Sequence, residues 1–132
     1  MGISYADQIA KAGLGTAMIK NQAGKFLLPT PQSIADAAAE LDPRTPVYER
    51  ITLIFAPGDD SYPLLNYEYA VVSKSQPNAA TTDALRHFLP WVISETGGNG
   101  QKYLRPVGFI ALPDFIRGLS ERQITQIKVA GS

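Results

Sequence analysis

Apolar and polar positions alternate most clearly between Tyr62 and Lys74, where the chain reads Tyr-Pro-Leu-Leu-Asn-Tyr-Glu-Tyr-Ala-Val-Val-Ser-Lys. From Leu65 the odd positions are Leu65, Tyr67, Tyr69 and Val71, while the even ones mix Leu64, Asn66, Glu68, Ala70 and Val72. A period of two predicts a strand. Running from Leu64 to Lys74, it would extend for roughly 35 Å, about twice the usual strand length. A strand that long can serve two sheets. Pro63 removes a ladder donor, so pairing should begin just after it.

Before this stretch, Gly2 to Tyr5 reads as a short strand and Ala6 to Ala12 as a helix stopped at Gly13. Leu14 to Lys20 alternates weakly, the Asn21-Gln-Ala-Gly24 cluster turns, and Lys25 to Leu28 returns as the second arm of a hairpin. Thr30 then caps a helix with Pro31 in its first position, and Ile34, Ala37, Ala38 and Leu41 make one apolar stripe. Two prolines break that helix across Asp42 to Pro46. Ile51 to Phe55 reads as strand-like, and Pro57-Gly-Asp-Asp-Ser61 has turn chemistry.

After Lys74, Ser75 to Asn78 reads as a loop, and Asn78 caps a helix from Ala79 to about Thr96. Its face carries Leu85, Phe88, Leu89 and Val92, with Trp91 beside them. Pro90 is anomalous there: it deletes the bond to the Arg86 carbonyl and should kink or open the helix, at about 3 kcal/mol if uncompensated. Gly97-Gly-Asn-Gly100 ends the helix. A helical turn is expected over Gln101 to Val107, and an extended run over Phe109 to Leu112. A last helix follows from Asp114 to about Val129, with Lys128 at the negative end of its dipole.

No repeat of fixed period is visible. Strand, helix, hairpin, helix, long strand and two helices make an α/β or α+β chain. With so few strands, neither half closes a sheet alone. The one architectural boundary falls in the turn before Tyr62.

Composition narrows the partners. The 132 residues suit one ordinary domain, and 45% apolar with 18% charged residues is globular. Twelve Lys plus Arg balance twelve Asp plus Glu, so no net field draws in nucleic acid or an anionic membrane surface. The absence of cysteine excludes disulfides, thiolate metal sites, a cysteine nucleophile and a lipid-bearing cysteine on this chain. No run approaches the roughly 20 apolar residues of a membrane span, and no export signal is expected on this chain.

The candidate chemistry is thin. His87 is the only histidine, so a triad or multi-histidine metal site lacks its usual residues, and an exposed helix position is the ordinary reading. Asp59 and Asp60 are adjacent carboxylates without EF-hand spacing, and solvated turn residues explain them. Gly13-Leu-Gly15 lacks the third glycine of a dinucleotide fingerprint. Gly97-Gly-Asn-Gly100-Gln-Lys102 follows a helix and lacks the hydroxyl after the lysine, so helix termination accounts for both glycine clusters. Tyr62, Tyr67 and Tyr69 carry no interleaved basic residues, which favours core and cross-strand packing over a nucleic-acid platform. Ser4, Thr16, Ser61 and Ser73 have no base nearby in the sequence. No catalytic set, cofactor site or metal site emerges.

Five ordered motifs carry a further signal: Gly2-Ile-Ser-Tyr-Ala; Phe26-Leu-Leu-Pro with Ser33-Ile-Ala-Asp-Ala-Ala-Ala; Tyr62-Pro-Leu-Leu-Asn-Tyr-Glu-Tyr-Ala-Val-Val; Phe88-Leu-Pro-Trp91; and Ala111-Leu-Pro113. Together they resemble the C-terminal part of the periplasmic phosphate-binding protein of the Pst ABC transporter, nearest to its actinobacterial, mycobacterial-type members. The resemblance implies part of a two-lobed α/β periplasmic-binding-protein fold of type II. Residues 1–61 would complete the second lobe. Residues 62–132 would cross back and finish the first.

It further implies a binding protein rather than an enzyme, periplasmic or at the cell surface, with inorganic phosphate and the Pst membrane subunits as partners of the full-length protein. Nucleic acid and direct membrane insertion are not implied. The family holds phosphate through Ser and Thr hydroxyls, helix N-terminal amides, an Arg and an Asp, a donor set that suits a dianion. Those residues belong to parts that precede this segment, so no phosphate-binding residue is expected here. The chain would then be a truncated fragment. Pro90 departs from the family's helix. The alternative from a different class is a self-contained interaction or oligomerisation module that pairs an exposed strand edge with another chain.

Overall fold

Helices form where the chain caps itself. The structure is a computed structural model that describes residues 6–131; the strand expected at Gly2 to Tyr5 lies outside the described residues. Helix α1 (Ala6–Lys11) stops at Gly13, whose φ of +65° is open to glycine at little steric cost, and the Leu14 amide donates back to the Ile9 carbonyl at 3.1 Å. The hairpin follows as expected, with β1 (Ile19–Lys20) antiparallel to β2 (Phe26–Leu27) and Ile19 opposite Leu27.

Helix α2 (Pro31–Leu41) begins on a reciprocal cap: the Ser33 amide donates to the Thr30 hydroxyl, and the Thr30 amide donates to the Ser33 hydroxyl, each at 3.1 Å. Ser33 stands where a longer Glu or Gln more often closes the box. The helix buries Ser33, Ala37 and Ala38, with Ile34 and Leu41 half-buried on the flanks. A 3₁₀ turn over Asp42–Arg44 ends it.

Helix α3 (Ala79–Ile93) takes its cap from Asn78, whose Oδ1 accepts from the Thr81 amide at 2.8 Å. It runs through Pro90 and closes at Ile93 rather than near Thr96. The reason is local. Ser94 leaves the helix, and its amide, its hydroxyl and the Gly98 amide all converge on the Trp91 carbonyl. Helix α4 (Gln101–Leu104) and a 3₁₀ turn over Arg105–Val107 match the expected short helical segment, and residues 109–113 belong to neither helix nor strand.

Helix α5 (Asp114–Ile124) buries Ile116 and Leu119 and packs against α3. It is shorter than the expected span to Val129. The chain turns at Thr125, so Lys128 lies not at a helix terminus but in β4 (Lys128–Val129). There it pairs in parallel with β3 (Ser75–Gln76), in residues expected to be a loop, with Ser75 opposite Lys128. Ile127 keeps the helical spacing of the buried face and is itself 4% exposed, which is why the periodicity overran the helix.

Two expected strands do not form. Ile51 to Phe55 is irregular: Phe55 sits at a φ of +54°, outside any strand, and its amide donates to the Pro63 carbonyl at 2.9 Å. The stretch buries Leu53 alone among its large side chains, and that amide is held by Asn66 Oδ1.

The long strand from Leu64 to Lys74 is likewise no strand. The only ladder nearby begins at Ser75, and among the described residues no backbone group of residues 64–72 is hydrogen-bonded. Its alternation survives only in part, since Leu65 and Tyr67 are half-buried whereas Val71 is 95% exposed. A period-two pattern specifies which side chains share a face, but a strand needs neighbours. The described elements supply none along this run.

Among the described residues the class is mixed helix with two small two-stranded sheets. Buried apolar side chains fall on either side of the extended run: Ala37, Ala38, Leu53, Ala56 and Tyr62 before it, Ile116, Leu119 and Ile127 after it.

Candidate functional site

The extended run forms one wall of an open cleft of about 470 Å³. Tyr67, Tyr69 and Val72 face Leu89 and Ile93 of α3 and Ile116 of α5 across it. The polar groups at its rim include the carboxylates of Glu49 and Glu68, while Lys74 is its one cation. An inorganic dianion needs converging N–H and O–H donors, and this apolar, carboxylate-bearing cleft gathers few.

Tyr67 and Tyr69 hold the wall in place. The Tyr67 hydroxyl donates to Asp42 Oδ1 at 3.2 Å, and the Tyr69 hydroxyl lies 2.9 Å from the Glu49 carbonyl and 3.0 Å from that of Ile51. Their rings meet edge to face at 6.4 Å. Burial pushes the Tyr67 hydroxyl well above the ordinary tyrosine range, with the Asp42 charge adding to it. Burial also raises Asp42, opposed by the hydrogen bond from Tyr67. Cross-strand packing, expected for these tyrosines, is therefore replaced by tethering to the 42–51 loop; Tyr62 alone is a core residue, 9% exposed.

Across the cleft that loop is fastened to α5. The Ser120 hydroxyl donates to the Glu49 carboxylate, and Gln123 Nε2 donates to the Val47 carbonyl at 2.5 Å. Glu49 itself adopts a φ of +58°. At the far end, Arg117 bridges Glu95 at 2.8 Å and Asp114 at 2.9 Å, tying the end of α3 to α5.

A second cavity, about 360 Å³, lies beside the 57–61 turn and is lined by Asp36, Glu40, Asp59 and Asp60 with Gly58 and Ser61. Four carboxylates oppose anion binding. Lys25 Nζ reaches Asp59 at 2.8 Å and Asp60 at 4.0 Å, and the Asp59 hydrogen bond raises the lysine's affinity for its proton. These side chains are solvent-facing, so the pair is a modest surface interaction.

The other candidates are structural. His87 is exposed on α3, its Nδ1 2.6 Å from the Asp83 carbonyl one turn back. Gly13 follows the end of α1, whereas the Gly97 to Gly100 cluster does not end α3, which has already closed at Ile93, but forms the turn into α4 with Gly100 at its N-cap; Lys102 lies over the Tyr103 ring at 4.7 Å. Ser61 is buried and donates to the Pro57 carbonyl, Ser73 donates to the Ser75 carbonyl, and Thr16 is exposed; Ser4 lies outside the described residues. Among the described residues no group of three His, Cys, Asp or Glu could hold a metal, and no helix is long and apolar enough to cross a membrane.

Two organising asparagines were not apparent from the sequence. Asn21 is 4% exposed, and its Nδ2 donates to the carbonyls of Gly58, Asp59 and Ser61 while its Oδ1 accepts from the Lys25 amide, locking the hairpin to the turn before Tyr62. Asn99 clamps residue 112 by accepting from its amide at 2.7 Å and donating to its carbonyl at 3.4 Å. Both sit in polar turn clusters, where only a partner distant in sequence sets them apart.

No protein-family model matches the chain. A curated relative, the phosphate-binding protein PstS of Methanocaldococcus jannaschii, is 26% identical over 136 residues, covering 96% of this chain and 33% of the relative. The chain is similar to a binding protein, and it spans about a third of the length of that relative.

Proposed function

We propose that this chain is the C-terminal portion of a phosphate-binding protein of an ABC transporter, of the type II periplasmic-binding-protein fold and the actinobacterial type. Residues 1–61 contribute to the second lobe, residues 62–132 supply the crossing segment and part of the first. Phosphate is captured between lobes by closure, without covalent chemistry. The full-length protein then works in the periplasm or at the cell surface and delivers inorganic phosphate to the transporter's membrane subunits.

The observation that carries this reading is the run from 64 to 72, whose backbone groups are unpaired among the described residues and which lies in the chain between two sets of buried residues. It is the shape of a crossing segment whose neighbouring strands belong to further polypeptide. The likeness to PstS along nearly the whole chain supports it. In this reading the phosphate ligands belong to that further polypeptide.

The test is a chimera in which these 132 residues replace the matched third of the Methanocaldococcus jannaschii relative. Phosphate binding by isothermal titration in the folded chimera is the expected result, and none by the 132-residue chain alone. A folded chimera that ignores phosphate, or micromolar binding by these residues by themselves, contradicts the reading.

A further inference from the structure

The turn from Gly97 to Gly100 holds an asparagine whose chemistry the transport reading leaves unused. Asn99 alone of the four asparagines is followed by glycine. A glycine amide has no neighbouring Cβ to shield it, so it can close on the side chain before it. The packing of the turn dictates both residues. A Cβ at Gly100 would lie 2.5 Å from the Glu95 carbonyl oxygen, which only glycine avoids. Asn99 is 6% exposed and spends its side chain on residue 112: Oδ1 accepts from the Leu112 amide at 2.7 Å, and Nδ2 donates to the Leu112 carbonyl at 3.4 Å. The Gly100 amide is held as well, donating to the Gly97 carbonyl at 2.9 Å.

We propose that Asn99 is a deamidation site that the fold keeps closed, and that its conversion permanently loosens the link between the 97–100 turn and residue 112. When the clamp opens, the Gly100 nitrogen gives up its proton to solvent and bonds to Asn99 Cγ; the Cγ–Nδ2 bond breaks and ammonia leaves. Water then opens the cyclic imide at either carbonyl. The product is aspartate or, with the main chain rerouted through the side chain, isoaspartate. Water is consumed and ammonia released, with no other reactant. In the folded turn the reaction is blocked twice, because the Asn99 amide and the Gly100 amide are each fixed by hydrogen bonds that must break first. The aspartate does not remake the clamp. Its carboxylate still accepts from the Leu112 amide, but it has no proton for the Leu112 carbonyl and sets two acceptors against each other. Residue 112 leads into α5, where Ile116 and Leu119 are buried, so the loosening falls at the entry to that helix. This goes beyond the transport reading and does not depend on it.

The test incubates the full 132-residue chain at mildly alkaline pH, with and without guanidinium chloride, and follows each asparagine by peptide mass spectrometry. In denaturant Asn99 converts first, and Gly100→Ala slows it there, where the clash with Glu95 plays no part. In native buffer the conversion is slower by about tenfold or more, a factor set by how seldom the clamp opens. In Asn99→Asp the Leu112 amide exchanges about tenfold faster while amides inside α2 keep their native rates. Equal rates in native buffer and denaturant overturn the proposal, as does earlier conversion at Asn21, Asn66 or Asn78, or a rate in denaturant indifferent to Gly100→Ala. So does an Asn99→Asp chain whose Leu112 amide exchanges as in the parent, or whose exchange rises throughout the molecule. Phosphate enters none of these measurements, so their failure leaves the transport proposal to its own test.

Discussion

Helix α2 and the run from 64 to 72 are of similar length, yet they meet the backbone's demands in opposite ways. In α2 each interior amide finds a carbonyl one turn away, the first turn is closed by Thr30 and Ser33, and Ala37 and Ala38 are buried. The extended run has the apolar side chains of a buried strand but pairs with nothing among the described residues. What a helix needs lies within four residues, whereas a strand is completed by a neighbour that can lie anywhere in the polypeptide. The helices of this chain therefore satisfy their own backbone, whereas the run from 64 to 72 does not among the described residues.

If that contrast holds, stability is concentrated in the helical parts. The largest loss is expected at Leu119, 2% exposed on α5, where Leu119→Ala should cost about 2–5 kcal/mol in denaturant unfolding. Gly98→Ala comes next. Its Cβ would lie 2.5 Å from the Val92 carbonyl oxygen and 2.9 Å from the Val92 Cα, backbone atoms that cannot swing aside, at about 1–3 kcal/mol. Thr30→Ala removes the cap of α2 and should cost about 1 kcal/mol. Val71→Thr, 95% exposed in the extended run, should stay within about 0.5 kcal/mol in dilute solution. A loss at Val71 matching that at Leu119 would erase the distinction.

Tyr67 links the two regions and has a pH signature. Its folded-state pKa is raised above the ordinary value near 10. The unfolded chain therefore releases this proton first. The contribution is fully present below about pH 10 and is lost as pH climbs through that value toward the folded-state pKa. Tyr67→Phe should cost about 1 kcal/mol at neutral pH through the lost Asp42 hydrogen bond, and should flatten the alkaline limb of the stability curve. Asp42 acts with the same sign at the acid end. Its raised pKa means that the folded state holds a proton the unfolded chain has shed, so its ionisation cost is relieved as pH falls through that raised value.

The same contrast explains what could be read from the sequence. Thr30 with Pro31, Asn78 and Gly13 announce helix ends through chemistry carried in the residues themselves, and all three are where the sequence places them. The hairpin around Asn21 and Gly24 is likewise local. The alternation at 64–74 fixes which side chains share a face but says nothing of a neighbouring strand. Ile51 to Phe55 misled because an apolar run has no period to tell strand from loop, and its course is set by Asn66 and Pro63. Helix α5 was overextended because Ile127 stays on the buried face after the helix has ended. The roles of Asn21, Asn99 and Tyr67 depend on partners 13 to 40 residues away, which spacing does not reveal.

The most direct test is amide hydrogen exchange resolved along the chain in dilute solution. The amides of residues 64–72 should exchange nearly unprotected while those inside α3 and α5 are slow. Protection of 64–72 comparable to α5 would mean that the segment is already paired within this chain, contradicting the account.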